Sequence, residues 1–194
     1  MADKLKTLII EDSKPIQVIY DAGLSSGVFE KYFEKDGNEA LEVYNTWHPD
    51  IIVLDIMIHG MSGYLLLKEI RQEKNDQTTT VIVASSISDR EAVVDILKLG
   101  IQGYLVKPFT HKEISQKILD SYKKMNPERA DAAFAALEVE HREKLAAQKA
   151  KEAEAKAKEA EEKAKAEAKA AGPGQEPAAA REKPAVEKES GGNT

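Results

Sequence analysis

The sequence predicts an open α/β fold: five parallel strands with helices on both faces. Three observations carry that prediction. Short apolar runs alternate with helical patterns five times between Leu5 and Tyr122, which implies parallel pairing with right-handed crossovers. The run Ile51–Leu54 is an unbroken string of branched aliphatics, too short and too β-branched for a helix, and it suits a strand buried on both faces. Five units are too few to close an eight-stranded barrel, so a doubly wound sheet is the economical solution.

The elements follow in order. Leu5–Ile10 is a strand that ends in Glu11 and Asp12, after which Ser13 can cap a helix with Pro15 in its first turn. Val28–Phe33 forms the second strand. Asp36-Gly37-Asn38 turns the chain into a helix carrying Ala40, Leu41, Val43, Tyr44 and Trp47 at helical spacing. His48-Pro49 stops that helix, because a residue before proline avoids the αR region. The Ile51–Leu54 strand follows, then Asp55, a glycine-bearing loop and a helix over Gly63–Arg71. Thr80–Ala84 is the fourth strand, ending in Ser85 and Ser86. Ser88 and Glu91 have capping-box spacing ahead of a helix stopped by Gly100. Gly103–Val106 is the fifth strand, ending in Lys107-Pro108, and a helix over Thr110–Tyr122 closes the globule. A flavodoxin-like strand order, 2-1-3-4-5, accommodates all of this.

In open parallel sheets the working groups sit just past the carboxyl ends of the strands. Taken alone, Asp55 could simply cap the helix near Ser62. The other strand ends argue otherwise, since they carry Glu11 and Asp12, Ser85, and Lys107. In the 2-1-3-4-5 order these side chains share one rim. Three crowded carboxylates repel unless a cation joins them, and oxygen-only ligands favour a hard ion, most simply Mg²⁺. A fixed ammonium and a hydroxyl opposite complete a site for a tetrahedral anion, in which a central carboxylate can accept a phosphoryl group.

Residues from about Lys4 to Lys124 resemble the receiver domain of bacterial two-component response regulators, the chemotaxis-regulator-like family. The runs I-I-E-D, V-L-D-I-M-I-H-G-M-S-G, V-I-V-A-S-S and G-Y-L-V-K-P-F carry the resemblance in order and spacing. It implies Asp55 as phosphoacceptor, with Glu11, Asp12, Asp55 and the Met57 backbone carbonyl as Mg²⁺ ligands. It further implies Ser85 as the switching hydroxyl, Lys107 as the contacting lysine, Tyr104 as the aromatic switch residue, and a cis Lys107-Pro108 bond. The chain departs from the family at Ile58-His59, where Met-Pro is common, and at Ser62, where Asp is commoner. His59 reads as a solvent-facing substitute rather than a ligand. Met57 and Ile87, two residues past Asp55 and Ser85, offer no polar group to orient a hydrolytic water, which suggests a long-lived phosphorylated form.

The expected function is phospho-accepting relay. Asp55 takes a phosphoryl group from a sensor histidine kinase or phosphotransfer protein, and the face formed by the fourth helix, fifth strand and fifth helix then changes its affinity for a downstream protein. Such a chain catalyses only its own phosphorylation and dephosphorylation and is not an enzyme in the usual sense. A phosphorylation-dependent homodimer stays open. An aspartyl-phosphate hydrolase of similar topology is the enzyme-class rival, but Glu11-Asp12 is followed by Ser13-Lys14, without the second Asp that such enzymes place two residues on. An interaction module that has lost phosphate acceptance is a third reading.

Composition bounds the rest of the 194-residue chain. Net charge is −6 and cysteine is absent, which argues against nucleic acid as a partner and fits a reducing cytoplasm. No apolar run approaches the roughly 20 residues of a membrane span, and no signal peptide is visible. The receiver is expected over residues 1–125 and an Ala/Lys/Glu-rich helical extension over 126–171. In that extension Phe134, Leu137 and Leu145 form one brief apolar stripe. Acid-first i,i+4 pairs such as Glu140–Lys144, Glu154–Lys158 and Glu159–Lys163 support a solvated helix. Residues 172–194, rich in Pro, Gly, Ser and Glu, are expected to be disordered. The extension has too little apolar material for a DNA-binding output domain.

Overall fold

The computed structural model of the chain describes residues 3–87 and 89–170. Strands β1 (Leu5–Ile10), β2 (Phe29–Glu34), β3 (Ile51–Leu54), β4 (Thr80–Ser85) and β5 (Gly103–Val106) form one sheet in the order β2-β1-β3-β4-β5. Every pair is parallel; Ile9 registers with Val53, Val53 with Ile82, and Val83 with Tyr104. This is the flavodoxin-like arrangement expected from the sequence.

Side chains alternate across the sheet, as a period of two requires. Ile9, Val53, Ile82, Ala84 and Leu105 face one layer, built from α1 (Lys14–Gly23) and α5 (His111–Lys123), where Tyr20, Leu24, Ile114 and Ile118 meet them. Leu8, Ile10, Ile52, Leu54, Val81 and Val83 face the other, where α2 (Gly37–Trp47), α3 (Gly63–Lys68) and α4 (Arg90–Leu97) contribute Ala40, Leu66, Leu67 and Ile96. β3 and β4 are buried along their whole length, as a central strand covered on both faces must be.

Several local expectations change. Past α3 the helix continues as a π-helical turn over Glu69–Glu73, burying Ile70 and Arg71. Ser13 occupies the cap position of α1 without a side-chain cap bond; its N–H instead donates to Glu11 Oε1 at 3.2 Å. α4 is capped by Asp89, whose carboxylate accepts from the N–H groups of Glu91 and Ala92, while Ser88 lies outside the described residues. His48 ends α2 in the left-handed region at φ 50°, one way for a residue before proline to avoid αR.

The compact unit does not stop at residue 125; it runs to Ala146. α6 (Pro127–Ala170) contributes Ala130 and Ala133 to the α1/α5 core layer, with Phe134 and Leu137 packed against it. Arg129 pairs through both guanidinium nitrogens with the Asp50 carboxylate at the start of β3, and Ser25 donates to Glu140. Two members of the apolar stripe noted in the sequence, Phe134 and Leu137, are thus set against the core. From Ala147 a second unit stays helical to Ala170, with Glu154–Lys158 at 2.7 Å and Glu159–Lys163 at 3.1 Å. The expected disordered segment 172–194 lies outside the described residues. None of the described helices is long and apolar enough to cross a membrane.

Candidate functional site

In the order β2-β1-β3 the chain reverses its winding direction between β1 and β3, the place where open α/β sheets open a crevice at the strand ends. Glu11 and Asp55 flank that place. Asp55 is tied to the end of β1 by its N–H, which donates to Ile10 O at 3.0 Å, and Glu11 donates to Glu34 O at 2.9 Å. Gly63 lets α3 start directly against the end of β3, since a Cβ there would collide with the Asp55 carbonyl. Ser62 caps that helix, its hydroxyl accepting from Leu65 N.

Of the side chains that the sequence places on one rim, Glu11, Asp12, Asp55 and Lys107 come together there. Carboxylate oxygens of Glu11, Asp12 and Asp55 lie within 4.8 Å of one another. Glu11 and Asp55 are buried, at 1% and 7% exposure, so their mutual repulsion is poorly screened and needs a counter-charge. Lys107 supplies one, its Nζ standing 2.5 Å from both Glu11 Oε2 and Asp55 Oδ2. Burial pushes the Glu11 carboxyl above the usual carboxylate range despite the bond and charge of Lys107. Burial alone would lower the lysine, but the bonds and charges of Asp55 and Glu11 outweigh it and hold the ammonium above its ordinary value. The chemistry of this donor set, three clustered oxygens from hard ligands opening to solvent at Asp12, fits a divalent cation such as Mg²⁺.

The remaining residues surround this cluster. Met57 N–H donates to Asp55 Oδ1 at 2.9 Å, leaving Oδ2 to the lysine. Ser85 is fully buried and its hydroxyl accepts from Ile87 N at 3.2 Å. Lys107 N–H donates to Ser85 O at 3.0 Å, which couples the ends of β4 and β5. Tyr104 OH donates to Ile87 O at 2.6 Å. The Lys107–Pro108 bond is cis. The side chain of Met57 is exposed, whereas Ile87 packs against the α2/α3/α4 core layer.

Two contacts were not anticipated. Gln17, buried on α1, donates to Glu11 O at 2.6 Å and so fixes the acidic corner. His59 is largely exposed, as expected, yet its Nδ1 lies 2.9 Å from Asp12 Oδ2. Its position four residues after Asp55 hinted at proximity, but no periodicity rule aims a loop side chain.

A flavodoxin-like sheet with an acidic triad, a lysine and a buried hydroxyl at its carboxyl edge defines a receiver-type signalling domain. Residues 7–119 match the response regulator receiver domain model, and the chain belongs to that family. It is 35% identical over 115 residues to the probable transcriptional regulator ycf27 of Porphyridium aerugineum, covering 59% of this chain and 47% of that one. A ycf27 protein of Guillardia theta is 32% identical over 133 residues, 69% of this chain and 50% of the relative. The chain thus spans about half the length of these curated relatives. Among solved structures, the receiver domain of Francisella response regulator 1452 superposes with a TM-score of 0.56 at 34% identity, covering 62% of this chain and 98% of that one. The CheY of Borrelia burgdorferi, in its complex with CheX, BeF3 and Mg²⁺, gives a TM-score of 0.56 at 26% identity, covering 61% and 89%.

Proposed function

We propose that Asp55 is the phosphoacceptor of a two-component relay. One of its carboxylate oxygens attacks the phosphorus of a phosphohistidine on a sensor kinase or phosphotransfer protein. The P–O bond forms as the P–N bond breaks, and the electron pair leaves with the imidazole. Glu11, Asp12, Asp55 and the Met57 carbonyl would hold Mg²⁺, which supplies positive charge to the transferring oxygens. Lys107 adds a second positive charge at the same oxygens, released from its bond to Asp55 Oδ2 as that oxygen becomes esterified. Ser85 turns its hydroxyl toward the phosphoryl group, and Tyr104, bonded to the same β4–α4 loop through Ile87 O, transmits the change. The apolar side chains of Met57 and Ile87 give water no orienting partner, so the acyl phosphate persists.

The observation that carries this reading is the shared lysine: one ammonium within 2.5 Å of a central Asp55 and a flanking Glu11. The Mg²⁺ in the Borrelia CheY complex supports the metal assignment. Output then passes through the α4-β5-α5 face, where Val94, Leu97 and Val106 are exposed, to a downstream protein. Incubation with Mg²⁺ and a small acyl-phosphate donor should label the chain stoichiometrically and Asp55→Asn not at all. Continuous turnover of donor would favour a hydrolase instead, and absence of labelling an interaction module.

A further inference from the structure

Asp12 is the most exposed of the three clustered carboxylates, with 26% of its side chain open to solvent against 1% for Glu11 and 8% for Asp55. Among the described residues its carboxylate has one polar partner, the largely exposed His59. The aim of Asp12 is therefore set through its backbone. Glu11 stands one residue past the end of β1, and its carbonyl is met by the side chain of Gln17, whose Nε2 donates to Glu11 O at 2.6 Å. That carbonyl and the Asp12 N–H belong to one planar peptide unit, so a bond that holds the oxygen also fixes the plane from which Asp12 departs. On the other side of Asp12, Ser13 N–H donates to Glu11 Oε1 at 3.2 Å.

The Gln17 amide is itself oriented. Lys14 Nζ donates to its Oε1 at 3.3 Å. An ammonium only donates and a carbonyl only accepts, so one setting of the amide satisfies both neighbours. Gln17 is buried, and without its donor the Glu11 carbonyl would lose its partner where water is a poor substitute.

We propose that Gln17 is a positioning residue for the divalent cation: it holds the Glu11–Asp12 peptide so that the Asp12 carboxylate stays beside the oxygens of Glu11 and Asp55. The inference rests on the reading of this cluster as the metal site that serves Asp55. Gln17 touches neither the cation nor the phosphoryl group, so its bond is read out as cation affinity and not as the intrinsic rate of transfer.

The test uses the full chain. Gln17→Met keeps the length and loses the donor, and Gln17→Asn withdraws the donor by one methylene. Gln17→His restores an N–H at similar reach, without added charge at about pH 8, where imidazole is neutral. Calorimetric titration should show Mg²⁺ affinity falling about tenfold or more in Gln17→Met and Gln17→Asn, with most of the loss recovered in Gln17→His. The Mg²⁺ concentration that half-saturates labelling of Asp55 from a small acyl-phosphate donor should rise in step, while the rate at saturating Mg²⁺ stays near wild type. A loss of stability alone would lower the labelled fraction at every Mg²⁺ concentration and leave the half-saturation point in place, which overturns the proposal. Wild-type Mg²⁺ affinity in Gln17→Met or Gln17→Asn, or an equal loss in Gln17→His, overturns it as well. Wild-type protein that neither binds Mg²⁺ nor accepts label would instead remove the metal site itself, and this proposal with it.

Discussion

Lys107 Nζ bridges Asp55 Oδ2 and Glu11 Oε2 at 2.5 Å each, so a single ammonium from the end of β5 neutralises carboxylates from the ends of β3 and β1. The sheet order makes this contact available: β5 is two strands from β3 and three from β1, and the lysine side chain is long enough to cross that gap. A short side chain at the same place could not satisfy both acids. The bridge also explains why two buried carboxylates are tolerated side by side.

Lys107→Ala is therefore expected to destabilise the metal-free protein by about 2–4 kcal/mol, because it strands two buried charges. A divalent cation can replace the missing charge. Mg²⁺ should raise the Tm of Lys107→Ala more than that of wild type, while phosphoryl incorporation stays far below wild type even with saturating Mg²⁺. Thermal unfolding with and without Mg²⁺ checks the first point, and labelling from a small acyl-phosphate donor the second. An equal Mg²⁺ shift in both proteins would mean that the lysine is not the counter-charge.

Asp76 sets a pH signature away from the site. Burial opposes its ionisation, but bonds from Thr79 and Thr78 hold its carboxyl well below the usual carboxylate range, and Tyr44 OH donates to its other oxygen at 2.8 Å. A depressed folded-state value contributes stability above the unfolded value of about 3.9, lost as pH falls below it. Asp76→Asn should cost about 1–2 kcal/mol at pH 7, discounted for partial exposure. That penalty should shrink between pH 5 and pH 3, read from urea midpoints across the range. A penalty independent of pH would contradict the assignment.

Truncation after residue 125 should be costly, and truncation after Ala146 should not. The first removes Ala130, Ala133, Phe134 and Leu137 from the α1/α5 core layer and the Arg129 pair from Asp50. Together these are worth about 3 kcal/mol or more from buried apolar area. The second leaves the compact unit whole. Urea unfolding of the two fragments beside the full chain decides it, and equal midpoints would show that α6 adds no stability.

Legibility in the sequence followed the physics of each signal. The β3 run of β-branched residues announced a doubly buried strand, and residues at strand ends could be assigned to one rim once the strand order was chosen. The α6 contact was legible only in part, through the stripe of Phe134 and Leu137. Its buried face is largely alanine, a good helix former with little apolar area, so Ala130 and Ala133 looked like parts of a solvated helix. The cap of α4 went to Asp89 because Ser88 and Asp89 are both good caps, and spacing alone cannot choose between neighbours. Arg71 was also missed, since an arginine in a polar helix end normally snorkels to solvent.

Arg71 is only 4% exposed and acts as a four-way clasp. Its Nε donates to Gly100 O at 3.2 Å, and its terminal nitrogens donate to Asp76 O at 2.7 Å, Thr79 O at 2.8 Å and Gln102 Oε1 at 3.3 Å. Burial pulls the guanidinium below its ordinary value, against the opposing charge of the Asp76 carboxylate. Arg71→Met keeps the apolar stem and leaves those acceptors unpaired, each at about 1–3 kcal/mol where water cannot reach. The variant should lose about 3 kcal/mol or more in urea unfolding. Amide exchange should accelerate first at Gly100–Gln102, the loop that leads into β5. Labelling of Asp55 should persist in whatever fraction stays folded, because no bond from Arg71 reaches the acidic rim. Loss of labelling in a fully folded Arg71→Met would instead tie this clasp to the proposed phosphoacceptor, Asp55.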